Sequence, residues 1–273
     1  MLVYDLSLNI TDAPSRSGTS ALLQQFSGEN DTTIALHTVL DTLEKARRDP
    51  HIVGIYLDGS ESTAASEAGY ATLKEVRQAL QRFRDTGKTI IAYGTEWGER
   101  DYYLGSVANT IVLNPLGALE INGLSSQPIF IAGALQKYGI GVQVVRVGKF
   151  KGAVEPLLRT NLSPENRQQT QQLLSDVWGE WRSSISNSRK LSQEKLQAIA
   201  DTQGFLQADP AQKQGLVDKV AYFDSVLAQL KKLTGEDEEN KTFHQISLTK
   251  YAETGGDSPN ESRNSQNQVA VVY

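Results

Sequence analysis

The 273-residue sequence contains no cysteine and only three histidines, His37, His51 and His244. The lack of cysteine excludes disulfides, thiolate metal sites and a cysteine nucleophile. The histidines lie far apart in the sequence, so we expect no histidine metal site. No metal or organic cofactor is expected either. The net charge of −5 argues against nucleic acid as a partner, because the phosphates require a basic surface.

Long apolar runs are also missing. No run approaches the roughly 18–20 residues that span a bilayer, and no signal segment precedes the strand-like start at Met1. The sequence ends on a second β-like run, residues 268–273, after a polar tract. We therefore expect both ends to be fragment boundaries, with an apolar segment of about 20 residues upstream and a second βαβ domain downstream.

Residues 1–150 alternate β-branched runs with amphipathic helical patterns, which is typical of βαβ units in an α/β protein. A helix ending at Pro50 is predicted between the first two strands, and one ending near Gly87 between the second and third. The predicted strands are Leu2–Ile10, Ile52–Asp58, Thr89–Tyr93, Thr110–Leu113 and Val142–Val147.

The later part of the chain has a helical pattern. Ser163 is followed by Pro164 and Glu165, an N-cap sequence that opens a long predicted helix, and Ser192 caps another. Residues 215–233 predict a short β-like step and a final helix. From 235 to 267 the composition becomes polar and acidic, and we interpret this segment as a linker because it carries few apolar residues to bury.

Most motif matches have a structural explanation. The sequence lacks a phosphate-binding loop, an HEXXH motif and a complete GxSxG. Two SxxK matches occur, Ser192–Lys195 and Ser247–Lys250. The first lies where a helix cap is expected and the second near the polar segment, so we interpret both as chance matches.

One segment favours a functional interpretation, Val144 to Arg159, in which a strand-like run leads into Gly148 and two lysines, Lys149 and Lys151. Lysines in such a place are ordinarily solvated. A lysine that acts as a base needs its pKa lowered from ~10.4 toward ~7–8. Desolvation, a neighbouring ammonium and a helix N-terminus all lower the pKa of a lysine. Lys149 lies two residues from Lys151, and Gly148–Ala153 is predicted as a strand-to-helix turn.

These residues resemble the amino-terminal half of the long form of signal peptide peptidase A (protease IV), over residues 1 to about 224. The blocks that carry the resemblance read VGKFKGAVEP, IVGIYLDG, RDTGKTIIAYG, YYLGSVANTIVLNP and QGLVDKVAYFD. The opening residues are most similar to the cyanobacterial and plastid-type members. In that family the amino half supplies a general-base lysine and the carboxyl half the serine nucleophile of an endopeptidase that degrades signal peptides and similar membrane-derived peptides.

The resemblance implies a ClpP/crotonase-like superhelix of ββα units with a C-terminal helical portion, here residues 1–234. It implies that the catalytic lysine is Lys151, which directly precedes the Gly-Ala-Val-Glu-Pro block, and that residues 268–273 begin the serine-bearing half. It further implies a homo-oligomer anchored through a segment absent from this chain. The expected location is the extracytoplasmic face of a plasma or thylakoid membrane.

The sequence departs from a catalytic copy of this fold at two places. Where the oxyanion hole needs a glycine pair, residues 58–63 read DGSEST. Where serine and two glycines precede an aromatic pair, Glu99, Arg100 and Asp101 precede Tyr102 and Tyr103. This chain alone is therefore predicted to be inactive.

Two other functions remain open. A non-catalytic crotonase-like scaffold for oligomer assembly and substrate docking would lack a serine-bearing half beyond residue 273. An acyl-CoA hydratase or isomerase would use carboxylates such as Glu99 and Glu155. It is the least favoured, because no glycine-rich acyl-thioester site is visible.

Overall fold

The computed structural model describes residues 1–12, 33–61 and 68–254. Its strands are β1 (Leu2–Asp5), β2 (Asn9–Thr11), β3 (Thr33–Ala35), β4 (Gly54–Gly59), β5 (Thr89–Trp97), β6 (Thr110–Glu120), β7 (Phe205–Gln207), β8 (Lys219–Val220), β9 (Glu236–Asp237), β10 (Thr242–Phe243) and β11 (Ile246–Ser247). Its helices are α1 (Leu36–Arg48), α2 (Tyr70–Arg84), α3 (Glu99–Gly105), α4 (Ala132–Lys137), α5 (Glu155–Leu158), α6 (Pro164–Arg189), α7 (Gln193–Thr202), α8 (Ala208–Lys213), α9 (Phe223–Thr234) and α10 (Leu248–Glu253). A 3₁₀ turn, Gly152–Val154, precedes α5.

The chain divides into two compact units, which we call the sheet unit and the lysine unit. The sheet unit is Met1–Asn122 with Ile185–Tyr273 and contains all the described strands. The lysine unit is Gly123–Ser184 and contains α4, the 3₁₀ turn, α5 and most of α6.

The sheet unit is built on a mostly parallel sheet, which confirms the α/β class. Strands β11, β1, β4, β5 and β6 lie side by side in that order, all parallel. Strand β8 pairs parallel with β6, and β7 pairs antiparallel with it. Helices α1 and α2 follow the predicted apolar spacing and bury Val39, Leu43, Val76, Leu80 and Phe83. Burial of one apolar face per helix is what fixes these helices against other elements.

The first predicted strand, Leu2–Ile10, is interrupted in the structure. Asp5 Oδ1 accepts hydrogen bonds from the backbone N–H of Ser7 at 2.8 Å and from its hydroxyl at 2.7 Å. This aspartate turn ends β1, and β2 then pairs with β3 in a separate two-stranded sheet. Two other strands, β5 and β6, run several residues beyond their predicted ends.

The predicted strand Val142–Val147 is wrong. This segment has no regular secondary structure, and Val145 and Val147 are 101% and 87% exposed. β-Branched residues favour a strand only when a neighbouring strand pairs with their backbone hydrogen-bonding groups. No described strand pairs with this segment.

The expected linker, residues 235–267, is ordered in its first part. Strands β9 and β10 form an antiparallel pair, and β11 adds to the edge of the main sheet beside β1. Phe243, Leu248 and Tyr251 are buried, which supplies the apolar contacts that the average composition conceals. Residues 255–267 and the predicted strand at 268–273 lie outside the described residues.

The predicted cap of the long helix is confirmed. Ser163 Oγ accepts the N–H of Asn166 at 3.1 Å, and Pro164 occupies the first turn of α6, where its missing N–H costs no hydrogen bond. The helix has 26 residues. Neither it nor any other described helix is long and apolar enough to cross a membrane.

Candidate active site

The segment that carries Lys151 is a tight turn in the lysine unit. Gly148 has φ +97°, a conformation that glycine adopts without steric cost. The N–H of Lys151 then points back to the carbonyl of Gly148 at 3.3 Å. Lys151 itself is the residue that leads into the 3₁₀ turn and α5, and its side chain is exposed.

Lys149 lies within the same turn. Its ammonium lies 5.5 Å from the centre of the Phe150 ring, and its side chain is exposed. The segment is neither an extended strand, which would place both lysines on one side, nor a helix starting at Gly148, which would separate them.

An open groove of about 640 Å³ borders the turn. Residues 144–147 and 150–154 form most of its walls, together with Asn166 and Gln169 from α6. The valines give the groove an apolar side, and Lys151 lies along it. An apolar groove with a single amine is suited to an extended peptide that presents its backbone to that amine.

A buried carboxylate, Glu155, lies behind the turn, where it is 1% exposed. Its Oε2 accepts the N–H of Ser163 at 2.9 Å and the side-chain amide of Asn166 at 3.2 Å. These bonds, the backbone one foremost, and the charge of Arg159 lower the pKa of Glu155 below its usual 4.5. The carboxylate therefore stays ionised at neutral pH.

Arg146 connects this carboxylate with the turn. Its Nη1 donates to the backbone carbonyl of Lys151 at 2.9 Å and lies 3.8 Å from Oε1 of Glu155. No sequence motif pointed to Arg146, and Glu155 was predicted only as a carboxylate that a hydratase or isomerase would use. A signal was present, since Glu155 is an acid inside the otherwise apolar Ala-Val-Glu-Pro-Leu-Leu run.

The second candidate feature is the bend between β5 and α3 in the sheet unit, which we call the elbow. Glu99 lies at the start of α3, directly after Gly98. Its Oε1 accepts the N–H of Asn122 at 2.6 Å. Burial foremost, with the Glu99 charge as a second cause, raises the pKa of Tyr70 to about 12.

The indole of Trp97, which is fully buried, fills the space beside the elbow. A Cβ placed on Gly94 would lie 2.8 Å from the ring, and one on Gly105 would lie 2.7 Å from it. Both glycines are therefore required by the aromatic ring that packs on them.

The segment expected at the oxyanion hole, residues 58–63, is described only as far as Glu61. Asp58 Oδ1 accepts the backbone N–H of Ser60 at 3.0 Å and its hydroxyl at 2.6 Å. The backbone donor of Ser60, which could otherwise point at a substrate oxygen, is bonded within the segment.

The two SxxK matches both lie at helix starts. Ser192 Oγ accepts the N–H of Lys195 at 3.1 Å at the start of α7, and Ser247 Oγ accepts that of Lys250 at 3.3 Å at the start of α10. Each serine bonds the backbone three residues on, which explains the spacing without catalysis. Among the described residues, no group of three or more His, Asp or Glu side chains could hold a metal ion.

The sequence is similar to known proteins of one family. The sequence model of "Peptidase family S49" matches residues 82–236, which include both the elbow and Lys151. Protease 4 of Salmonella typhi is 30% identical over 271 residues, covering 93% of this chain and 43% of that protein.

Two further relatives are similar. The chloroplastic serine protease SPPA of Arabidopsis thaliana is 28% identical over 84% of this chain and 33% of its own length. Protease 4 of Haemophilus influenzae is 30% identical over 92% of this chain and 41% of its own length. The chain thus spans less than half the length of these three curated relatives.

Proposed function

The chain belongs to peptidase family S49, as its resemblance to signal peptide peptidase A predicted, and we propose that it is the lysine-bearing half of a Ser/Lys-dyad endopeptidase. In this proposal Lys151 is the general base, and the nucleophilic serine lies in a carboxyl-terminal half outside this chain. The neutral amine of Lys151 takes the proton of the serine hydroxyl as the oxygen attacks the scissile carbonyl. The protonated amine then gives this proton to the leaving nitrogen as the C–N bond breaks, and water hydrolyses the acyl-enzyme that remains, which frees the serine hydroxyl.

The observation that carries the proposal is the contrast between the two candidate features. Lys151 is exposed beside an open groove and its backbone is held by Arg146. The elbow, where a catalytic copy would need serine, holds Glu99 bonded to Asn122. An exposed lysine beside a groove, and an elbow that carries glutamate instead of serine, together fit one half of a divided site.

Burial of the amine is the part of the chemistry that a partner must add. A lysine base works only where water is largely excluded, and the described chain leaves Lys151 exposed. We propose that the serine-bearing half covers the groove. The exposure of Val145, Val147 and Phe150 around the groove supports this, because covering exposed apolar side chains removes them from water and is favourable.

We also propose that the protein is a homo-oligomer with the ClpP/crotonase-like superhelix. The mostly parallel sheet and its helices are compatible with that fold. The lysine unit is rich in exposed large apolar side chains, which favours burial in an assembly. They are Ile129, Ile131, Tyr138, Ile140, Val145, Val147, Phe150, Leu157, Leu158 and Leu173.

The proposed substrates are signal peptides and similar membrane-derived peptides. The groove is apolar on its valine side, which suits such hydrophobic segments. Attachment to a membrane, on the extracytoplasmic side of a plasma or thylakoid membrane, is proposed through a segment outside this chain. The similarity to two bacterial proteases 4 and a chloroplastic serine protease supports the protease assignment only.

The competing function is a non-catalytic scaffold for assembly and substrate docking. The bonded carboxylate of Glu99 and the exposed apolar surface of the lysine unit favour it. A scaffold requires the surface but does not require the amine of Lys151.

The test uses the polypeptide that carries both this chain and the proposed serine-bearing half. Lys151→Ala should lower kcat/KM on a fluorogenic peptide by at least about 10⁴-fold, as loss of a base or its orienting partner does in serine peptidases. Lys151→Arg should not restore it, because a guanidinium stays protonated. A fluorophosphonate probe should label the serine of the parent and fail to label both variants.

Lys149→Ala is the matched control, since it removes an exposed lysine from the same turn. It should change kcat/KM by less than about tenfold, the modest effect of removing one nearby charge. Residues 1–273 alone should show no turnover of casein. An active Lys151→Ala variant would contradict the proposal and favour the scaffold, and an inactive Lys149→Ala beside an active Lys151→Ala would move the base by two positions.

A further inference from the structure

The buried carboxylate of Glu155 is only half satisfied. Its Oε2 holds the N–H of Ser163 and the amide of Asn166. Its Oε1 is buried, has no hydrogen-bond partner among the described residues, and faces Arg146 at 3.8 Å. The hydrogen bonds at Oε2 anchor the carboxylate at the start of α6, and they leave the charge at Oε1 directed at Arg146.

The first connection from Glu155 to the turn is Arg146. The same Nη1 that faces Oε1 donates to the carbonyl of Lys151 at 2.9 Å. The guanidinium side chain is 38% exposed, so it can lean toward water unless the carboxylate attracts it. The Glu155 charge therefore holds the donor that fixes the backbone of Lys151.

The second connection is Asn166. Its side chain is held by Oε2 of Glu155 and its backbone N–H by Ser163. It packs so closely on Gly152, the residue after Lys151, that a Cβ there would lie 2.5 Å from the amide group. The carbonyl of Lys151 and the residue that follows it thus both touch groups that Glu155 holds.

We propose that Glu155 is a positioning residue for Lys151, acting through Arg146 on one side and Asn166 on the other. It fixes the backbone of the turn so that the amine projects along the groove in one direction. This rests on the proposed function, because positioning has a measurable effect only if Lys151 is the base. A displacement of about 1 Å at a reacting group costs about 100-fold in rate.

The test compares Glu155→Gln with Glu165→Gln in the polypeptide that carries both halves. The Glu155→Gln change keeps the side-chain shape and an oxygen for the Ser163 N–H but removes the charge that faces Arg146. It should lower kcat by about 10- to 100-fold and leave KM nearly unchanged, since the valines that form the apolar side of the groove are not altered. Glu165, in the first turn of α6, is the matched control, and its substitution should leave both constants at the parent values.

Two further variants separate positioning from folding. Arg146→Gln should lower kcat in the same way, and the double variant should be no worse than the more damaged single one, because both act through the same contact. Glu155→Asp, which keeps the charge, should recover part of the activity that Glu155→Gln loses. Rates are normalised to the fraction of protein with native circular dichroism.

The possible outcomes distinguish this inference from the proposed function. Parental kcat in Glu155→Gln, losses that multiply in the double variant, or a loss explained wholly by unfolded protein would each overturn the positioning role while Lys151→Ala stays inactive. Activity in Lys151→Ala would instead overturn the proposed function, and this inference with it.

Discussion

The Lys151 turn and the Glu99 elbow are built in opposite ways. At the turn, the reactive residue type is exposed and the supporting groups, Glu155 and Asn166, lie behind it. At the elbow, the carboxylate of Glu99 is bonded to Asn122 and the adjoining space is filled by Trp97. One feature offers an amine to an incoming group, and the other satisfies its polar atoms within the chain.

Under the proposed function, this difference is what a divided site requires. A general base needs a held backbone and a free side-chain end, and the turn offers both at Lys151. The elbow carries no serine at residue 99 and needs neither. Its space has instead become part of a packed core, in which the Trp97 ring approaches Gly94 and Gly105 more closely than a methyl group would allow.

The largest expected difference between the two regions is in stability, when the aromatic residue of each is replaced by alanine. Trp97→Ala should lower the free energy of unfolding of the sheet unit by about 3–5 kcal/mol, because it removes a fully buried indole and leaves a cavity. Phe150→Ala should cost less than about 1 kcal/mol, because that ring is 49% exposed. Urea unfolding followed by far-ultraviolet circular dichroism measures both. Equal costs would contradict the contrast between a packed elbow and an open turn.

The second expected difference is the loss of stability when a glycine is replaced by alanine in each region. Gly94→Ala should cost about 1–3 kcal/mol, since its Cβ would meet the Trp97 ring at 2.8 Å and the Glu96 carbonyl at 2.9 Å, and a backbone carbonyl cannot move aside. Gly152→Ala should cost less than about 1 kcal/mol, because the obstacle is the end of the Asn166 side chain. The same urea unfolding experiment compares the two variants.

Although Gly152→Ala should cost little stability, it should reduce the activity of the polypeptide with both halves. The added methyl group displaces the Asn166 side chain, which breaks its hydrogen bond to Glu155. The matched control is the double variant Gly152→Ala with Asn166→Ala, in which the alanine has room and its added effect over Asn166→Ala should vanish. A Gly152→Ala variant that unfolds as easily as Gly94→Ala would remove the distinction between the regions.

The sequence predicted the sheet unit well where periodicity and burial agree. The apolar spacing of Val39 and Leu43, and of Val76 and Leu80, corresponds to the buried faces of α1 and α2. Sequence-based prediction failed where pairing with another strand decides the secondary structure. Residues 142–147 are rich in valine, as strands often are, yet they pair with no described strand, and β11 joins β1 although the two strands lie at opposite ends of the described chain.

At the candidate site, the resemblance predicts Lys151 as the base, and that assignment stays a prediction; the sequence could not show which groups lie behind it. The hydrogen bond from Ser163 to Glu155 joins residues that are eight positions apart. The bond from Arg146 to the carbonyl of Lys151 depends on the turn at Gly148. Periodicity reports which face of an element is apolar, whereas a single buried carboxylate at a turn has no period to detect.

The smallest expected effect concerns Glu99 itself and tests whether the elbow can be made reactive. Glu99→Ser introduces a hydroxyl at the position where the resemblance to a catalytic copy predicts one. We expect it to cost about 1 kcal/mol through loss of the hydrogen bond to Asn122.

We also expect Glu99→Ser to give no fluorophosphonate labelling in residues 1–273. Arg100 and Asp101 stand where glycines would be needed, and the N–H of Ser60 is already bonded to Asp58. A hydroxyl without backbone donors for the oxyanion lacks what is usually the largest electrostatic contribution to acyl transfer. Glu96→Ser, an exposed position on β5, is the control for nonspecific labelling. Stoichiometric labelling at residue 99 but not at 96 would mean that the elbow remains a working nucleophile site, and the two regions would then differ only in one side chain.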